Sequence, residues 1–141
     1  MSKIVDENCI FCKIAEGEIP SNTIYEDDYC RVILDLGPAA KGHAIILAKT
    51  HAANLFELPE EYAAHLLKVA KKVGYGMTQA LGCDGLNVLQ NNGEAAGQTV
   101  FHLHIHLIPR YKNDNVNIAW TPGELDDGAS LAETIRKAIS E

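Results

Sequence analysis

The sequence predicts an α+β fold: an antiparallel sheet of about five strands with one long helix and a short C-terminal helix. Three observations point there. Residues 60–81 place Tyr62, Leu66, Val69, Val73, Met77 and Ala80 at spacings of three and four, which is one apolar stripe along a helix. Short β-type runs stand on both sides of that helix, and Gly and Pro punctuate them. Strands in sequence with a single long helix between them imply an α+β arrangement rather than alternating βαβ units.

The elements follow in order. Residues 9–16 read as a short helix stopped by Gly17. Residues 23–26 and 29–35 are two β runs across a turn at Asp27-Asp28, and Leu36-Gly37-Pro38 breaks the second. Residues 43–48, rich in Ile, are a third strand. Pro59 and two glutamates open the long helix, suiting the first turn and the positive end of the helix dipole, and Gly82 ends it. Gly74 and Gly76 weaken its last turns or let a strand approach closely. Residues 86–89 and 99–108 are further strands, joined by a polar, Gly-containing loop. Ser130 and Glu133 form a capping-box pattern ahead of Leu131, Ile135 and Ile139, which predicts the C-terminal helix.

Composition narrows the function classes. At 141 residues the chain fits one domain over 1–141, long enough to bury about two-thirds of its unfolded surface. No apolar run approaches the ~18 residues of a membrane span, and residues 1–8 lack the apolar region of a secretion signal. The expectation is a cytoplasmic protein whose four cysteines, at 9, 12, 30 and 83, are not a disulfide framework. A formal net charge of −7 disfavours long nucleic acid as a partner while leaving room for a nucleotide.

The informative segment is Phe101-His102-Leu103-His104-Ile105-His106-Leu107-Ile108. Strand side chains alternate, so the three histidines share one face while Phe101, Leu103, Ile105 and Leu107 share the other and meet the long helix. Neighbouring rings ~7 Å apart, if both charged, would repel by roughly 0.6 to 2.4 kcal/mol for dielectrics of 80 and 20. A purely structural face has little reason to accept that. A site for metals or anions does, and two readings follow. Alternate strand histidines can ligate zinc; equally, one ring can be a nucleophile with its neighbours as donors to phosphate. The flanks favour phosphate, because Gly97-Gln98-Thr99 runs into the strand with an amide, a hydroxyl and open backbone N–H groups, and Asn91 adds a donor upstream.

Residues 102–108 match at every position the signature His-φ-His-φ-His-φ-φ, φ being apolar, so the chain resembles the histidine triad (HIT) family. The likeness extends through residues 9–14, Ile19-Pro20, Tyr25-Glu26-Asp27, Asp35, Pro38, Lys41-Gly42-His43, Lys49, His51 and Asn91-Asn92-Gly93, and fades after Arg110. The resemblance implies a HIT-like fold and a homodimer, with the long helix and a sheet edge at the interface. It also implies hydrolysis or nucleotidyl transfer at the α-phosphate of purine nucleotide conjugates: phosphoramidates, dinucleoside polyphosphates or acyl-adenylates. His104 matches the nucleophile that forms a nucleotidyl-histidine, and the reaction needs no cofactor. His106 and His43 match histidines on the non-bridging oxygens, Gln98 and Thr99 the contacts to the scissile bridge, and Asn91 a phosphate-side donor. Asp35 matches the carboxylate on the ribose hydroxyls; by itself it reads more readily as a turn residue before Leu36-Gly37-Pro38. The base would lie among Ile10, Phe11, Ile14, Ile33 and Leu36, which serve as well for a core. A nucleotide-binding scaffold with vestigial catalysis is the alternative, and an intact His104 argues against it.

Cys9-Ile10-Phe11-Cys12 has metal-knuckle spacing, which alone leaves zinc, free thiols and redox chemistry open. Some bacterial HIT proteins and the related galactose-phosphate uridylyltransferases hold a structural zinc on a similar arrangement. That resemblance implies Cys9, Cys12, His51 and His102 as ligands. His102 would then anchor the strand that presents His104 and would not contact phosphate. Cys30 and Cys83 read as small buried residues, His65 as surface, and residues 111–124, with Trp120, as the segment that tunes specificity.

Overall fold

The computed structural model describes residues 3–140. Thr23–Glu26 (β1), Cys30–Leu34 (β2) and Ala44–Ala48 (β3) pair antiparallel in chain order. His104–Arg110 (β5) lies against β3, and Gly85–Leu89 (β4) closes the sheet, giving the order β1-β2-β3-β5-β4 with every pair antiparallel. The expected α+β architecture is therefore the observed one. Ile10–Ala15 (α1) packs near β3, Glu60–Leu81 (α2) covers the other face, and Gly128–Ser140 (α3) follows a long irregular segment.

Register decides which side chains reach which layer. Val32, Ile46 and Ile105 are cross-strand partners and turn toward α2, where Tyr62, Leu66, Val69 and Met77 are buried with them. Their sequence neighbours Ile33, Ile45 and His106 are partners on the opposite face, beneath α1, with Leu47 opposite His104 one step along. All five residues of β3 are buried, as expected for a central strand covered on both sides. Gly74 is buried because β4 comes so close that a Cβ there would lie 2.8 Å from Leu86 Cδ2. At Gly76 nothing lies near, so close approach explains only the first of the pair.

Three expectations change. The histidine strand, expected over 99–108, begins at His104 and runs on to Arg110. Just before it, Leu103 donates to Ala52 O at 2.8 Å and accepts from Ala48 N at 3.3 Å, an irregular junction that breaks strict alternation. Phe101 is consequently half exposed and does not join Leu103, Ile105 and Leu107 against α2. His65 is not a free surface side chain. Its Nε2 lies 2.6 Å from Asp27 Oδ2 and its ring stacks on Tyr29 at 4.3 Å, tying the β1–β2 turn to α2. Burial acts to raise the Asp27 carboxyl, but hydrogen bonds from His65, Tyr29 N–H and Tyr25 Oη outweigh it and hold it down at about 2. Third, Cys83 is only partly buried, whereas Cys30 is fully so.

Candidate active site

On the α1 face of the sheet, β5 sets His104 and His106 side by side, with ring centroids 5.0 Å apart and edge to face. His43, at the entrance to β3, is 5.2 Å from His106 between centroids. Backbone partners fix the proton on each ring. An amide can only donate, so Ala39 N–H, 2.9 Å from His43 Nδ1, leaves the proton on His43 Nε2. That Nε2–H donates to His106 Nδ1 at 2.9 Å, which in turn puts the His106 proton on Nε2. A carbonyl can only accept, so His104 donates Nδ1–H to His102 O at 2.6 Å and keeps a free lone pair on Nε2.

Burial lowers the pKa of all three rings. His106 falls furthest, to about 4, because the potential charges of His104 and His43 add to the desolvation. The three rings are therefore uncharged at neutral pH, with a free lone pair on His104 Nε2 and an N–H on His106 Nε2. Asp35 stands at their rim, where Oδ1 accepts from Gly37 N–H at 2.8 Å and Oδ2 lies 3.6 Å from His43 Nε2. The turn role holds for this residue, which also stands beside His43. Asp35, His43 and His106 also converge closely enough to be considered for a metal. The His43 Nε2 proton argues otherwise, since the nitrogen that would ligate is a donor.

A second cluster lies beside the first. Cys9, which caps α1, and Cys12, in its first turn, meet His51 and His102, the four ligating atoms all within 4.8 Å of one another. His102 is fully buried and donates Nε2–H to Ala48 O at 2.7 Å, leaving its Nδ1 lone pair 3.3 Å from Cys9 Sγ and 3.5 Å from Cys12 Sγ. His51 Nδ1 is 3.5 Å from Cys12 Sγ. Two sulfurs and two nitrogens around zinc stand roughly 3.3–3.8 Å apart when bonded at ~2.3 and ~2.0–2.1 Å. Backbone N–H groups of Asp6 and Cys12 point at the sulfurs at 3.4 Å, which suits thiolates. Without such a charge nearby, burial pushes the Cys12 thiol up to about 11. The residues fit a tetrahedral zinc.

A family model described as HIT domain matches residues 16–113. The chain belongs to the HIT domain family. Among HIT relatives it is 44% identical over 115 residues to Protein hit of Bacillus subtilis (strain 168), covering 81% of this chain and 79% of the relative. It is 42% identical over 123 residues to adenosine 5'-monophosphoramidase HNT1 of Saccharomyces cerevisiae, covering 86% of this chain and 75% of that one. The solved structure of SMU.412c from Streptococcus mutans UA159 superposes with a TM-score of 0.90 at 41% identity, covering 95% of this chain and 87% of that one. A Zn-bound histidine triad family protein from Mycobacterium smegmatis gives 0.73 at 34% identity, with 94% of this chain and 96% of that one covered.

The other predicted residues divide by placement. Phe11 meets His104 edge-on at 5.0 Å, and Phe11 and Ile14 pack over Ile33 beside the histidines. Ile33 is itself buried in that cluster, while Ile10 and Leu36 are exposed outside it. Thr99 is exposed on the loop. Gly97 stands at φ +100°, a conformation that strains any other residue, while a Cβ there would make only an ordinary contact with Asn91 Nδ2 at 3.6 Å. Gln98 departs from its expected part. It is buried, its Nε2 donates to Ala53 O at 2.6 Å and Val100 O at 3.1 Å, and its Oε1 accepts from Gly93 N at 2.8 Å. Both Nε2 protons and one Oε1 lone pair are engaged in holding the loop. His43, with both ring nitrogens engaged, likewise holds His106. The groups that sequence reasoning missed are main-chain ones: Ala39 N–H, Ala48 O and His102 O, which no residue type announces.

Proposed function

We propose that this HIT protein is a nucleotide hydrolase or nucleotidyl transferase acting at the α-phosphate of purine nucleotide conjugates through a nucleotidyl-histidine intermediate. The observation that carries it is the free Nε2 of His104, oriented by the Nδ1–H bond to His102 O. The Nε2 lone pair forms an N–P bond while the bond from phosphorus to the leaving group breaks, and the leaving group departs with the electron pair. Water then attacks the adduct and frees His104. The proton gained by a leaving amine balances the one that water gives up. His106 Nε2–H and the Thr99 hydroxyl donate to the phosphate oxygens, with Asn91 on the same loop, while His43 and Gln98 are positioning residues. Asp35 receives the ribose hydroxyls, and the base lies against Phe11 and Ile14, with Ile10 and Leu36 at the rim of the slot.

Support for phosphoramidates as substrates comes from relatives named adenosine 5'-monophosphoramidase; another is named adenylylsulfatase. Zinc on Cys9, Cys12, His51 and His102 is part of this reading. Its chemistry is that of a structural cross-link between α1 and the base of β5. A homodimer joins through the exposed side of α2, with Leu67 and Tyr75, and the open edge at β4, with Val88. No helix among the described residues is long and apolar enough to cross a membrane; a cytoplasmic setting, where thiols stay reduced, is part of this reading.

The test is turnover and binding measured together on adenosine phosphoramidate, a dinucleoside polyphosphate and an acyl-adenylate. Hydrolysis of at least one, with a labelled nucleotide trapped on the protein by rapid quench, is the expected result. Tight nucleotide binding without turnover on any of them would leave the scaffold reading in its place.

A further inference from the structure

We propose that α3 is an exchanged arm: the C-terminal helix of one chain docks in an apolar groove between β1, β2 and α2 of a second copy of this chain. The inference is independent of the nucleotide chemistry and of the dimer through β4. Its first support is the arm. Leu131, Ile135 and Ile139 recur every four residues along α3 and are 50%, 52% and 78% exposed, and the helix has no buried residue. A helix of about 13 residues is marginal in water alone, so such a stripe needs a surface to lie on.

The second support is the groove. It has a volume of about 570 Å³, and Ile24, Leu34, Val73, Met77 and Leu81 line it. It lies on a different side of α2 from the stripe next to β4. Among the described residues its charged lining residues are Lys41 and Lys72, and Lys72 Nζ lies over the Tyr25 ring at 5.2 Å. The chain around the start of α3 carries the opposite sign: Glu124, Asp126, Asp127 and Glu133, with no Lys or Arg from 124 to 133. Apolar stripe to apolar groove and acid lead-in to lysine rim match in both respects.

The occupant is a second copy because the chain does not cover either face with the other: α3 has no buried residue, and no α3 residue lines the groove of the same chain. The irregular segment from 111 to 127 gives the arm reach. Reciprocal exchange across a two-fold axis would cover two arms and two grooves together, the low-cost route by which an element passes between identical chains.

The test uses the full chain with p-benzoylphenylalanine in place of Ile135. Light chain is mixed with isotopically heavy chain, irradiated, and the cross-linked peptides are identified. Heavy–light pairs joining residue 135 to peptides containing Ile24, Leu34 or Met77 are expected. Two variants should suppress them about tenfold, the scale of one charge set against an apolar face: Ala80→Arg, at an exposed groove position, and Leu131→Asp, on the arm and outside the sheet domain. Cross-links confined to one isotope would mean the helix folds back on its own chain. Cross-links elsewhere, or groove cross-links unchanged in both variants, would equally overturn the proposal.

Discussion

His104 Nδ1 lies 2.6 Å from the main-chain oxygen of His102, so the residue that anchors the neighbouring Cys/His cluster by its side chain also sets the tautomer of the nucleophile by its backbone. One residue thus links the two clusters. Replacing His104 by Ala or Asn should therefore remove turnover. The loss should be at least ~10³-fold, roughly 4 kcal/mol at 1.36 kcal/mol per decade. Binding of a nucleoside monophosphate should stay within about tenfold, since the His106 and Thr99 donors remain. Steady-state kinetics beside calorimetric titration checks both. Near-wild-type turnover in His104→Ala would remove the nucleophile assignment.

Metal should be separable from chemistry. Purified protein should contain about one zinc per chain, and Cys9→Ser or Cys12→Ser should lose it together with thermal stability. Chelation should lower the melting temperature before it changes turnover at a temperature where the fold persists. Elemental analysis settles the content, and metal-free protein of unchanged stability would count against the site.

The sheet and its long helix were legible because periodicity reports burial directly: Tyr62, Leu66, Val69 and Met77 are buried as their spacing requires. The histidines were legible because three rings at alternate positions are hard to explain as packing. What the sequence hides is backbone. Strict alternation mislaid Phe101 because Leu103 bonds across to Ala48 and Ala52, and such a junction leaves no mark in residue type. Gln98 looked like a phosphate donor by side-chain chemistry, and His43 by family resemblance. Only the positions of Ala53 O, Val100 O and Ala39 N–H reveal that their hydrogen-bonding capacity is already committed. His65 read as surface because its partner Asp27 is remote in sequence.

Gln98→Ala should act on the loop more than on the chemical step. It would strand Gly93 N–H, Ala53 O and Val100 O, and about 1 kcal/mol of stability should be lost for partly buried groups left without partners. Urea unfolding gives the first number. KM should rise more than kcat falls, because the loop carrying Asn91 and Thr99 loosens while His104 keeps its bond to His102. A selective collapse of kcat, with KM and stability unchanged, would instead place the Gln98 amide on the reacting atoms.

The last prediction is pH dependence. Burial lowers His43 and His104, and burial with neighbouring charge takes His106 to about 4, whereas an unfolded histidine titrates near ~6.5. Between those values the unfolded chain holds more protons than the folded one, so stability should fall as pH drops from about 6.5 toward 4. Above that range these three groups are neutral in both states and contribute no slope. Asp27 works in a lower window. Its carboxyl, held at about 2 in the fold, stabilises above the ordinary ~3.9 and loses that contribution only as pH falls toward 2. The first acid-induced loss should therefore come from the histidines, and His106→Gln should flatten the slope between pH 6.5 and 4 without altering the one below it. Catalysis follows the same sign: a neutral His104 is the competent form and burial lowers its pKa, so kcat/KM should decline at a more acid pH than an ordinary imidazole would give. Urea titrations at pH 8, 6.5 and 5, with a pH–rate profile on one substrate, measure both quantities, and a stability that rises on going from pH 7 to 5 would contradict the buried, neutral histidine site.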